Sequence, residues 1–96
     1  MEFNELKVIS ELIEDIRLEQ QISPFIDDKI IKNFIQDGIY DIENVVGSTI
    51  DFTKDLKARS LLKNYVLYAN HKRLAEFKNI YKAEYIELQR DYYINS

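Results

Sequence analysis

Ninety-six residues, 46% hydrophobic and 31% charged, with two glycines and one proline, make one domain with a single core and leave too few turn residues for a sandwich or barrel. The lack of cysteine excludes a disulfide framework, a thiolate nucleophile and a Cys-based metal site, and points to the cytosol or a particle assembled there. The formal charge of −4 is uneven, since residues 1–52 hold four basic side chains against twelve acidic ones and residues 53–96 hold nine against five.

The opening MEFNELKVISELIEDIRLEQ is acidic where an export signal would be basic, and no apolar run approaches the ~20 residues that span a bilayer. Neither standard export nor a membrane span is expected. Instead the spacing predicts an amphipathic helix over about residues 4–18, from Asn4 to Leu18. Leu6, Ile9, Ile13 and Ile16 recur there at intervals of three and four, and Leu12 widens the stripe. Ser23 and Pro24 read as the N-cap and first-turn proline of a second helix, about 24–46. Asp27 and Asp28 would complement its dipole, and Ile26, Ile30, Ile31, Phe34, Ile35, Ile39 and Ile42 make it the core helix. Gly38 inside that pattern costs up to about 1 kcal/mol relative to alanine, which predicts a neighbouring helix crossing close to it.

Gly47 suits a C-cap, leaving Ser48 to Phe52 as a loop before Asp51 or Thr53 caps a third helix, about 53–70. Leu62, Tyr65, Val66 and Ala69 carry its apolar stripe, and Asn70-His71-Lys72-Arg73 interrupts it with four polar residues. Beyond, Leu74, Phe77, Tyr81, Tyr85, Leu88 and Tyr92 alternate at three and four, keeping one seam aligned through a helix of about 73–93. From Asp55 to Tyr93 there is no glycine or proline, so an unbroken rod would reach ~60 Å. A bend near Asn70 would instead fold the last helix back as a hairpin partner, and the polar interruption favours it. The expected fold is all-α, a single domain over 1–96, built as a small bundle of three to four helices with a long C-terminal helix or helical hairpin.

Catalysis finds little support. His71 is the one histidine and lies in a basic, polar stretch, and there is no Gly-rich phosphate loop or nucleophile elbow. Paired acids such as Glu14-Asp15 and Asp27-Asp28 point in different directions on a helix and do not converge on a cation. The expectation is therefore no enzyme, no catalytic residue, no metal site and no cofactor. Lys57, Arg59, Lys63, Lys72 and Arg73 raise DNA binding, yet the chain is acidic overall, unlike most readers of DNA. Tyrosines buried through their rings with hydroxyls at a rim fit a protein interface. The charge asymmetry has two readings: two solvated helix faces, or a dipole whose copies attract head to tail.

SPFIDDKIIKNFIQDGIYDI, then LLKNYVLYANHKRLAEFKNIYKAEYIELQ, with Leu61-Leu62-Lys63-Asn64-Tyr65, Tyr68-Ala69-Asn70, Glu76-Phe77, Tyr81 and Leu88-Gln89 as the most telling positions, resemble the head–tail connector, or adaptor, family of long-tailed bacteriophages. The resemblance covers nearly the whole chain through patterns of apolar, aromatic and polar positions. It implies a structural virion protein of the neck, present in the host cytoplasm during assembly. Such a protein forms a ring of twelve copies beneath the portal protein, extends the DNA channel and receives a stopper or tail-completion protein. DNA would then be passing cargo, with no membrane involved. No segment is rich enough in glycine or proline to be the long flexible loop some relatives carry.

On that reading Phe77, Tyr81, Tyr85, Leu88 and Tyr92 are the candidate contacts to the portal or a neighbouring subunit, and deleting residues after Ile80 is expected to leave a folded but assembly-defective chain. Asp27, Asp28, Lys72 and Arg73 are candidate channel-facing or inter-subunit charges. A small helical DNA-binding regulator and an antitoxin-like protein-binding module are the alternatives.

Overall fold

Each apolar stripe becomes the buried side of a helix. The computed structural model describes residues 5–19 and 22–94, which form α1 (Glu5–Glu19), α2 (Asp28–Val46), α3 (Leu56–Asn70), α4 (Leu74–Ile80) and α5 (Lys82–Ile94), with no strand among the described residues. The expected start of the first helix at Asn4 lies outside the described residues, as does the side chain of Leu6. Ile9, Leu12 and Ile16 bury one side of α1, and Ile31, Ile35, Ile39 and Ile42 one side of α2.

Gly38 marks the closest crossing. A Cβ there would lie 2.6 Å from Leu62 Cδ1 and 2.9 Å from Tyr65 Cδ1, so the absent side chain lets α3 pack directly on the α2 backbone. Gly47 closes α2 in the left-handed conformation at φ 82°, with its N–H on the Glu43 carbonyl.

Two helix starts differ from expectation. Ser23 and Pro24 form a turn rather than a helix end: the Ile26 N–H reaches the Ser23 carbonyl and the Phe25 N–H the Ser23 hydroxyl. Helix α2 begins four residues later, where the Asp27 carboxylate accepts the Lys29 N–H. The cause is tertiary, because Arg17 donates to the Ser23 and Ile26 carbonyls and to Asp28, holding the chain as a turn. Similarly Asp51 accepts from the Thr53 N–H and hydroxyl, in a turn that precedes α3, while Asp55 caps the helix by accepting the Ala58 N–H. That connection is no surface loop, for Ile50 and Phe52 are fully buried within it.

The C-terminal half breaks twice. At the expected bend Lys72 adopts φ 59° while its N–H bonds to the Ala69 carbonyl and that of Arg73 to the Tyr68 carbonyl, the paired closure that ends helices on a left-handed residue. The second break, at Tyr81, divides the expected 73–93 helix into α4 and α5. Phe77 and Tyr81 thereby meet Tyr65, Tyr68 and Tyr85 in a cluster with ring centroids 4.8–6.1 Å apart.

The antiparallel α2–α3 pair is the centre. Arg59 and Lys63 of α3 face α1, Lys57 faces α5, and α1 and α5 do not touch. Four bonds, Arg59 to Asp15, Lys63 to Glu19, Tyr85 to Asp41 and Gln89 to the Val45 carbonyl, each join residues 44 apart. The second helical hairpin therefore lies parallel on the first, as hairpins stack in α-solenoids. The result is a slab of 42 × 32 × 18 Å.

Candidate interaction surfaces

The aromatic seam faces inward. Phe77, Leu88 and Tyr85 are 0, 1 and 5% exposed, and Tyr81 and Tyr92 pack half-buried against the same core. The short α3–α4 connection returns the chain onto α2 and α3, so residues expected to meet a partner complete the fold instead. The Tyr85 hydroxyl donates to Asp41 at 2.9 Å and that of Tyr92 to Asp55 at 2.6 Å. Burial, then these carboxylates, push both phenols well above the usual tyrosine range. A chain ending at Ile80 would lack Tyr85 and Leu88 from its core. It is expected to lose its fold along with any assembly.

Asp27, Asp28, Lys72 and Arg73 are exposed, in two turns that the antiparallel α2–α3 pair brings to the same end of the slab. Each has local work there. Asp27 caps α2, Asp28 pairs with Arg17 at 2.6 Å, Lys72 occupies the left-handed position, and Arg73 pairs with Glu76 while its guanidinium lies 5.9 Å from the Tyr68 ring centre.

The charge asymmetry of the two halves is largely spent inside the chain. Arg59 meets Asp15 and Glu11, Lys63 meets Glu19 and Asp15, Lys78 meets Asp41, and Lys57 meets Glu87 and Asp91. The basic cluster of α3 is thus matched by carboxylates of its own fold. Among the described residues no group of histidine and acidic side chains could hold a metal ion, and no helix is long and apolar enough to cross a membrane.

The exposed apolar side chains are spread more widely, with Tyr40, Leu74, Ile80 and Ile86 among them, and the two most exposed, Phe25 and Tyr93, lie toward the two ends. Around the α1–α2 turn Phe25 is 95% exposed, with Leu18 and Ile30 exposed beside it. At the far end of α2, Leu56 and Tyr93 are exposed where Tyr92 is tied to Asp55. Gln89 bonds near the C-terminus of α2 and Phe25 precedes its N-terminus, so the two groups stand at least ~28 Å apart along nineteen helical residues. Phe25 and Leu18 were missed in the sequence. The signal was that both fall off the apolar stripes, after a Ser-Pro turn and at a helix end.

Between α3 and α5 runs a half-open groove of about 390 Å³, floored by Leu61, Tyr81 and Leu88, with Leu56 at its mouth and Lys57, Glu84 and Glu87 on its rim. The outer α3 wall of the groove, Leu56, Ser60 and Asn64, lies about 100° or more around the helix from Leu62 and Tyr65, hence away from α2, while Leu61 at its floor borders the core.

No protein-family model, no curated protein and no solved structure matches this chain.

Proposed function

We propose that this chain is a structural assembly adaptor of the head–tail connector kind: a non-catalytic, cofactor-free subunit that forms a ring under a phage portal and passes the joint on to a stopper or tail-completion protein. The observation that carries this reading is the presence of large exposed apolar side chains at both ends of one thin slab, on surfaces that are not equivalent. Non-equivalent surfaces favour heterologous contacts, which close into rings when the rotation permits. The self-satisfied charges of α3 support it over a DNA-binding regulator, since such a reader needs cations free for phosphates. Ring size, the neck location and the portal contact come from the resemblance of the sequence.

The test is to read the neighbouring reading frames for a portal protein and to measure the native mass of the purified chain with and without it. A multi-copy ring on the portal is expected. A chain that leaves the portal unbound at tens of micromolar, or that binds duplex DNA with a steep salt dependence, would overturn the reading.

A further inference from the structure

We infer that the α3–α5 groove of one copy receives the Phe25 turn of a second copy, a claim that rests on the adaptor reading above and specifies its self-contact. Three observations meet here. Phe25 is an almost fully exposed aromatic ring on a turn that Arg17 already holds through the Ser23 and Ile26 carbonyls and Asp28, so docking it costs little further ordering. The groove offers an apolar floor of Leu61, Tyr81 and Leu88 with room for one aromatic side chain and its flanks. Charge also matches once local pairs are set aside: Asp28 is tied to Arg17 and Asp27 caps α2, leaving Lys29 and Lys32 after Phe25, while at the groove Lys57 engages Glu87 and leaves Glu84 on the rim. Among the described residues neither Lys29 nor Glu84 enters an ion pair, which leaves each open to the other across an interface.

A chain cannot fill its own groove with this turn. Tyr85 lies beside Asp41 of α2, so the groove centre sits about 20 Å along the axis from the turn, on the side of α3 turned away from α2. Knob and groove on different surfaces of one molecule give a head-to-tail contact, the heterologous kind.

The absence of native cysteine makes disulfide trapping a clean test. Lys29→Cys and Glu84→Cys chains, made separately and mixed under mild oxidation, are expected to give mixed disulfides well in excess of either homodisulfide. Adding Phe25→Ala to the Lys29→Cys chain is expected to cut the mixed product about 10- to 100-fold, the equivalent of one buried aromatic ring. The same mixtures are weighed by native mass measurement, alone and with portal. Oligomers without excess mixed disulfide, or with a dominant Lys29→Cys homodisulfide, overturn the groove contact and leave the adaptor reading standing. A chain monomeric under every condition overturns both. A mixed disulfide unaffected by Phe25→Ala overturns the role of the knob.

Discussion

The two flanks of the central α2–α3 pair are fastened by different chemistry. On one flank α1 buries Ile9, Leu12 and Ile16 and is oriented by Arg59 and Lys63 gripping Glu11, Asp15 and Glu19. On the other, α4 and α5 bury Phe77, Tyr85 and Leu88 and add to exposed pairs of Lys57 with Glu87 and Asp91 and of Lys78 with Asp41 a fastening the first flank lacks, neutral phenols donating to Asp41 and Asp55. Apolar burial holds both, so the difference lies in what sets the angle of each flank. Ion pairs respond to salt, whereas a phenol bonded to a carboxylate responds to alkali. Salt therefore acts on pairs of both flanks, while alkali singles out the flank that carries the phenols.

The largest expected effect comes from the aromatic flank. Phe77 is fully buried and touches Tyr65, Tyr68, Tyr81 and Tyr85 through their rings. Phe77→Ala is expected to cost about 3–5 kcal/mol, a large share of the ~5–15 kcal/mol typical of a whole domain. Phe77→Leu, which keeps most of the volume, should cost far less. Urea unfolding followed by circular dichroism reads both, and a cost below about 1 kcal/mol for Phe77→Ala would mean that α4 is not part of the core.

Structure is legible in the sequence where a local signal decides it. The stripes of α1, α2 and α3, the close crossing at Gly38, the cap at Gly47 and the break after Asn70 follow from spacing, a missing Cβ, a left-handed residue and a polar interval. Structure is hidden where local signals compete or where the deciding contact is distant. Ser23 and Asp27 are both good N-caps, and the choice between them rests on Arg17 arriving from another helix. The break at Tyr81 has no glycine, proline or polar run to announce it. Ile50 and Phe52 looked like loop residues because their burial depends on helices brought together from elsewhere. Most instructive is the tyrosine seam, since an apolar face has the same period whether it covers its own core or a partner's. The opposed charges misled in the same way, until the 44-residue register set them face to face.

A middle-sized effect should isolate the phenols. Burial and Asp41 raise the Tyr85 phenol above its ordinary value of 10.0, so the folded state holds that proton more tightly than the unfolded chain. The resulting stability is complete below pH 10 and is lost as pH climbs above it toward the folded value. Tyr85→Phe is therefore expected to be about 1–2 kcal/mol less stable than the parent at neutral pH, a charge-assisted hydrogen bond's worth. Above pH 10 the gap should shrink, because Tyr85 ionises in the unfolded parent while the folded parent still holds its proton. A gap of equal size at neutral and strongly alkaline pH would show that folding leaves the Tyr85 proton no harder to remove, against both its burial and its bond to Asp41.

The smallest effect tests the other flank, where charge must be separated from the stem that carries it. The Arg59 side chain is only 17% exposed, 2.8 Å from Asp15 and 3.8 Å from Glu11, but both carboxylates are about two-fifths exposed. Water therefore discounts the pair to roughly 0.5–1 kcal/mol. Arg59→Met keeps a long apolar stem against α1 and removes only the charge. Its cost should be measurable in dilute buffer and shrink toward 1 M salt, where the screening length falls to ~3 Å, without vanishing, because the contact to Asp15 lies within that length. The Tyr85→Phe gap should not move over the same range, because a neutral donor has little charge to screen. If the Arg59→Met cost did not fall with salt at all, the guanidinium would be acting through its shape. Both flanks would then be fastened by packing, and the contrast between them would reduce to the phenols alone.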